Sequence, residues 1–245
     1  MIILSNLSHH TVFGIELEFY TEEIKKEYLF LSSIKNKIAS LGFSCEKESS
    51  INQYEIKSVC YTNSDNLIKH FELAKQLLTE VAQKLGGNVC FKAKPYLDRA
   101  GSALNVHVNL VNSNHDNLFY SNEQKYSDYL IHSIGGLCSM MKKHMLFFAP
   151  NDESYLRFQH PDIHTPTTIS WGVNNRTAAI RIPYFGNDFK RCRLEHRVPG
   201  ADCNLEQVLI AIIEGIIFGM ENKITPPDRV YGIASDPQYE MERLI

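Results

Sequence analysis

The chain is predicted to mix strands and helices in irregular order, and three observations carry that prediction. Val12–Tyr20 (VFGIELEFY) alternates at the two-residue period of a half-buried strand. Ser64–Leu85 repeats Leu67, Phe71, Ala74, Leu78, Val81 and Leu85 at helical spacing, between a cap at Ser64 or Asp65 and a terminating Gly86. Between Thr167 and Asn204, short strand-like runs carry Arg176, Arg181, Lys190, Arg193, Glu195 and Arg197 at regular intervals.

At 245 residues and 44% hydrophobic, the chain can bury roughly 70–75% of its unfolded surface, enough for one domain or two small ones. A formal net charge of −3 leaves no basic footprint for nucleic acid or an anionic membrane. The basic residues are local, so the anion they serve should be small. Cys45, Cys60, Cys90, Cys138, Cys192 and Cys203 lie far apart, with no Cys-x-x-Cys pair and no signal peptide ahead of them. They read as reduced thiols of a cytoplasmic protein. The most apolar run, Val208–Met220, is interrupted by Glu214 and too short to span a bilayer, so it reads as a core helix within Asn204–Asn222.

The remaining elements are scaffold. Thr21–Leu41 carries Ile24, Tyr28, Leu31, Ile34, Ile38 and Leu41 at helical spacing, closed by Gly42. Asn122–Phe148 reads as a long helical run broken at Gly135-Gly136, with Met140, Met141 and Met145 filling core.

The charged residues carry the chemistry. On an extended strand Glu16 and Glu18 share a face, where they repel unless a cation sits between them or solvent screens them. Arg193, Glu195 and Arg197 share a face in the same way. A carboxylate between two guanidiniums is costly to keep for stability alone, and it suits a cation held beside a polyanion, as in ATP with Mg²⁺. Arg176 and Arg181, five apart, fall on opposite faces unless the run bends. The plain alternative is a pair of edge strands with exposed charged faces.

WGxxNRxxxIRIP (Trp171–Pro183), KxxRxExRxP (Lys190–Pro199) and the following Asn204 resemble, in order and spacing, the glutamine synthetase catalytic domain. The resemblance covers nearly all of the chain. It implies an α+β fold, a curved antiparallel sheet whose concave face holds metals and whose back is covered by helices, with residues 1–245 forming one catalytic domain truncated at both ends. Only residues 1–15 precede Glu16, so the family's β-grasp domain, which helps build its large rings, is expected to be lacking. An oligomer stays open, but not that ring.

Roles follow from the same resemblance. Glu16, Glu195 and Asn105, the last standing where the family has a histidine, would bind the phosphate-side metal. Glu18, Glu48 and Glu55 would bind the substrate-side metal, with Glu46 competing with Glu48. Gly101 and His107 would contact substrate, and His107 also phosphate. Arg157 would grip the substrate carboxylate or the transferred phosphoryl. Arg176, Arg181 and Arg197 would handle phosphate, while Lys190 and Arg193 would sit on the nucleotide side. In CEKESSINQYEIKSVC the family's turn glycines are replaced by Ser50 and Asn52, which leaves that turn's geometry open. His164 stands where the family places a catalytic glutamate, with Asp162 the nearest acid, and Ala100 stands where an asparagine reads the amino-acid substrate.

The implied chemistry is ATP-dependent joining of a carboxylate, glutamate or similar, to an amine through an acyl phosphate, with ATP and Mg²⁺ or Mn²⁺ as cofactors. The missing acidic groups point to an amine other than ammonia, with His164 as its base. A phosphotransferase on the same scaffold and a non-catalytic nucleotide-binding relative are the alternatives.

Overall fold

The E-x-E segment forms the strand around which the sheet is assembled. The computed structural model describes residues 10–245; residues 1–9, read above as carrying no signal peptide, lie outside the described residues. β1 (His10–Glu22) is flanked on one side by β3 (Gln53–Ser58) and β2 (Phe43–Lys47). On the other lie β5 (Leu104–Val111), β10 (Leu194–His196), β9 (Ile180–Ile182) and β8 (Trp171–Val173). β4 (Asn88–Cys90) pairs with the end of β1, and β6 (Tyr120–Ser121) and β7 (Lys125–Tyr126) form a separate hairpin. Pairing is antiparallel except between β8 and β9, which run parallel.

Alternation divides the sheet into two faces. One buries Phe13, Ile15, Leu17 and Phe19 of β1 with Tyr54, Ile56, Leu104, Val106, Val108, Leu194, Ile180 and Ile182. Each such side chain contributes about 1.5–3 kcal/mol of burial free energy. The same core takes in buried side chains of α1 (Glu27–Ser40), α2 (Ser64–Lys84), α3 (Asp128–Met140), the short α4 (Met145–Phe148), the short α5 (Leu156–Gln159) and α6 (Leu205–Glu221). The other face is left to the charged residues. Among the described residues no helix is long and apolar enough to cross a membrane.

Four expectations are corrected. α1 begins at Glu27, not Thr21, because β1 continues to Glu22 and Glu23 then turns with φ 59°. Its buried stripe is Phe30, Ile34 and Ile38, while Tyr28 is exposed. α2 is capped by Asn63 rather than Ser64 or Asp65, its Oδ1 accepting the Asn66 N–H at 2.8 Å. The run expected from Asn122 to Phe148 starts as α3 only at Asp128, after the β6–β7 hairpin, and Gly135 and Gly136 do not break it; they lie inside α3, Gly136 against α6 and Gly135 against the Ile224 main chain that follows it. A Cβ on Gly136 would lie 2.1 Å from the Gly215 carbonyl oxygen, so the glycines permit a backbone approach that no other residue allows. Met141 and Met145 are buried as expected, but Met140 is only half-buried.

Candidate active site

Cross-strand register lines up the functional side chains in three rows on the polar face. Ser44, Lys57, Glu16 and Asn105 are successive partners across β2, β3, β1 and β5. Glu46, Glu55 and Glu18 form the next row. Gly14, His107, Glu195, Arg181 and Gly172 form the third, across β1, β5, β10, β9 and β8.

The third row is the most tightly knit. Glu195 is fully buried; Arg181 Nη1 donates to its Oε2 at 2.7 Å and Arg197 Nη1 donates to its Oε1. Burial acts to raise the Glu195 carboxyl, but Arg197, His107 and Arg181 hold it below the usual carboxylate range. The Nε groups of Arg181 and Arg197 are buried without partners, so each guanidinium keeps a donor for an incoming anion. Arg193 Nε donates to His107 Nδ1 at 3.1 Å. With Nδ1 accepting from Arg193, the ring presents Nε2 as its donor, 3.2 Å from Glu16 Oε1.

Glu16, His107 and Glu195 bring one ligand atom each within 4.8 Å of one another, the one such group among the described residues. Asn105, across from Glu16, has a buried Oδ1 with no hydrogen-bond partner. An orphaned carbonyl oxygen on the strand position facing the Glu16 carboxylate suits a hard divalent cation. With its proton on Nε2, His107 is instead a donor. Glu16 is held low, burial being outweighed by His107, Lys57 and Arg197, so it is ionised and ready to ligate.

The second row is less convergent. Burial pushes the Glu18 carboxyl up to about 7, although its Oε2 accepts the Ala103 N–H at 2.8 Å. Burial and the neighbouring Glu16 charge also raise Glu55, whose Oε2 lies 2.9 Å from Lys57 Nζ. Glu48 Oε2 accepts the Ser49 N–H at 3.0 Å, and Glu48 lines a cavity with Glu18; Glu46 is exposed and paired with Lys57 instead. Of the two competing glutamates, Glu48 is the one facing that cavity. The turn that lost its glycines holds because Asn52 adopts φ 62°, a left-handed conformation that asparagine tolerates.

Two cavities open on this face. One, of about 360 Å³, is bounded by Val12–Glu16, Lys57, His107, Lys190 and Arg193. Lys190 is exposed on a helical turn, 189–191, whose carbonyls are stapled by Asn117 Nδ2. The other, of about 270 Å³, is bounded by Glu18, Glu48, Gly101, Arg157, His164 and Arg197. Gly101 is packed so closely that a Cβ would meet Arg157 Cγ at 3.0 Å. Arg157 is buried and braces the main chain, Nη1 donating to Val198 O at 2.8 Å and Nη2 to Arg197 O at 3.2 Å.

Loops supply the rest. Arg176 lies in a turn between β8 and β9 rather than in a strand, exposed, because the run bends to make those strands parallel. This bend is the exception under which Arg176 and Arg181 need not oppose each other across an extended strand. His164 is exposed; Asp162 holds its loop by accepting the Gly101 N–H through Oδ2 at 3.0 Å and the His164 N–H through Oδ1 at 2.8 Å. Partial burial, Arg197 and Arg176 lower His164, leaving a neutral imidazole at pH 7.

Residues 16–243 match the family described as the glutamine synthetase catalytic domain. The chain belongs to that family. It is 37% identical over 188 residues to gamma-glutamylputrescine synthetase PuuA of Escherichia coli (strain K12), covering 76% of this chain and 39% of that protein. It is 28% identical over 207 residues to gamma-glutamylethanolamide synthetase GlnA4 of Streptomyces coelicolor, covering 83% and 43%. The chain thus spans about two fifths of these relatives' length. The solved GmaS/ADP complex shares the fold, with a TM-score of 0.84 at 23% identity over 99% of this chain and 63% of that one. Plasmodium falciparum glutamine synthetase superposes at 0.83, with 17% identity over 91% and 54%.

Against the family's pattern, sequence reading missed the residues that hold the site in place. Tyr20 Oη donates to Ala100 O at 2.9 Å and Gln53 Nε2 to Gly101 O at 2.8 Å, fixing the segment under Arg157. Both were legible as polar groups on the face shared by Glu16 and Glu18. Asn117 carried no comparable signal, because its partners lie over seventy residues away in sequence.

Proposed function

We propose that this glutamine synthetase-type chain is an ATP-dependent carboxylate–amine ligase that joins glutamate or a similar carboxylate to an amine other than ammonia, with residues 1–245 acting as one catalytic domain. The observation that carries the reading is the convergence of Glu16, His107 and Glu195 within 4.8 Å on one sheet face, with the orphaned Asn105 Oδ1 on the strand beside Glu16 and the Arg181 and Arg197 guanidiniums held on Glu195. The names of its relatives support the choice of amine, since gamma-glutamylputrescine synthetase and gamma-glutamylethanolamide synthetase are both amide-forming.

In this reading Glu16, Glu195 and Asn105 hold a divalent cation, which when bound neutralises phosphate charge. Lys190 and Arg193 hold the nucleotide, and the His107 Nε2–H donates to a phosphate oxygen. Arg181, Arg176 and Arg197 absorb charge on the equatorial oxygens as the γ-phosphoryl moves to the substrate carboxylate and ADP leaves. Arg157 and the Gly101 segment position that carboxylate. The amine then attacks the acyl carbon, phosphate departs, and neutral His164 takes the amine proton. The test is phosphate release from ATP and glutamate across a panel of primary amines and ammonia. Turnover with several amines and little with ammonia is expected; turnover with ammonia alone refutes the proposal.

A further inference from the structure

Lys57 has no role in the reading above, yet it stands at the centre of the acidic half of the face. It is the cross-strand partner of Glu16 on one side and of Ser44 on the other. Its Nζ lies 2.9 Å from Glu55 Oε2 and 3.0 Å from Glu46 Oε2. Among the described residues no other cation lies within ion-pair distance of either carboxylate. The Glu55 side chain is 5% exposed and that of Lys57 37%, so the ammonium closes a buried carboxylate from the solvent side.

The three glutamates expected to share the substrate-side metal do not fit one. Glu18, Glu48 and Glu55 form no converging group among the described residues, in contrast to Glu16, His107 and Glu195. A divalent cation needs several oxygens drawn to about 2.0–2.6 Å from one point. An ammonium needs only hydrogen-bonding contact at about 3 Å, which Lys57 already makes.

We propose that Lys57 is a built-in ammonium that replaces the second divalent ion at the Glu18–Glu55 end of the face, so that the chain takes up one such ion, at Glu16, Glu195 and Asn105. The proposal rests on the reading of this face as cation-binding. It makes Lys57 a charge-compensating residue that acts through Glu55.

The test counts Mn²⁺ ions bound by the metal-free full chain, from loss of the free-ion electron paramagnetic resonance signal. One ion per wild-type chain is expected. Lys57→Met, which keeps the methylenes and removes the charge, should bind two, and Lys57→Arg should return the count to one. A merely structural lysine would shift the melting temperature without changing the count. Two ions on the wild type, or one on a folded Lys57→Met, overturns the proposal; if Lys57→Met does not fold, the wild-type count decides alone. No ion on the wild type overturns the cation-binding reading itself, and so separates the two failures.

Discussion

Replacing Glu195 by Gln tests whether the third row is held together by its central charge. The substitution keeps the shape and one carbonyl acceptor, but it leaves Arg181 and Arg197, 13% and 9% exposed, facing each other without an anion. Removing one partner of a buried ion pair costs about 3–5 kcal/mol, because the remaining charge stays desolvated. At about 2–4 °C per kcal/mol for a chain of this size, the melting temperature should fall by roughly 6–20 °C. Urea unfolding with an unchanged m-value measures the loss directly. The sign of its pH dependence is fixed, because the folded-state carboxyl is held below its ordinary value. Its stabilisation is full above the unfolded-state value, 4.5, and disappears as pH falls through the folded-state value, so wild type and variant should converge in acid. A loss under about 1 kcal/mol at pH 7 would mean that solvent already screens the two guanidiniums, and the account of a desolvated charge row would be wrong.

Three further outcomes are expected. His164→Ala should lower kcat by about 10²-fold or more, as loss of a general base does, yet shift stability by no more than about 0.5 kcal/mol because the side chain is exposed; a large stability loss with kcat intact would remove His164 from the chemistry. Glu18 is pushed to about 7 from 4.5, so between those values the folded chain holds a proton that the unfolded chain has lost. Metal-free stability should therefore fall as pH rises through that window, by up to about 3 kcal/mol, and Glu18→Gln should flatten the slope in pH-dependent melts. Gly136→Ala should cost about 1–3 kcal/mol or more, since its Cβ would lie 2.1 Å from a backbone oxygen on α6, whereas Gly86→Ala, with open space but φ +78°, should cost about 1 kcal/mol. Calorimetry on the pair separates backbone collision from backbone strain.

Period-two and period-3.6 patterns make the sheet's polar face and the long helices legible in the sequence alone. Glu16 with Glu18, and Arg193, Glu195 and Arg197, share their faces because a strand's side chains alternate whatever it pairs with. Pairing partners are not a local property. Nothing in RTAAIRIP says that β8 and β9 run parallel, so Arg176 reads as a strand residue when it occupies a turn. Gly135 and Gly136 read as a helix break because the main chain that requires them, Ile224 for the first and α6 at Gly215 and Gly219 for the second, lies some eighty to ninety residues on. Lys57 reads as one more charge on a short strand until register sets it beside Glu16 and ion-pair geometry joins it to Glu55 and Glu46.

Register ties the site to the fold. Sliding β1 by one residue against β3 and β5 would turn Ile15, Leu17 and Phe19 toward water and drive Glu16 and Glu18 into the core. At about 1.5–3 kcal/mol per lost side chain, the three apolar residues alone oppose the slip by roughly 5–9 kcal/mol. Desolvation of two carboxylates adds to that opposition. The carboxylates that repel one another on the polar face are therefore kept in line by the apolar residues between them. Burial sets their register, and what remains for the site is to supply positive charge, from Arg181 and Arg197 at one end and Lys57 at the other.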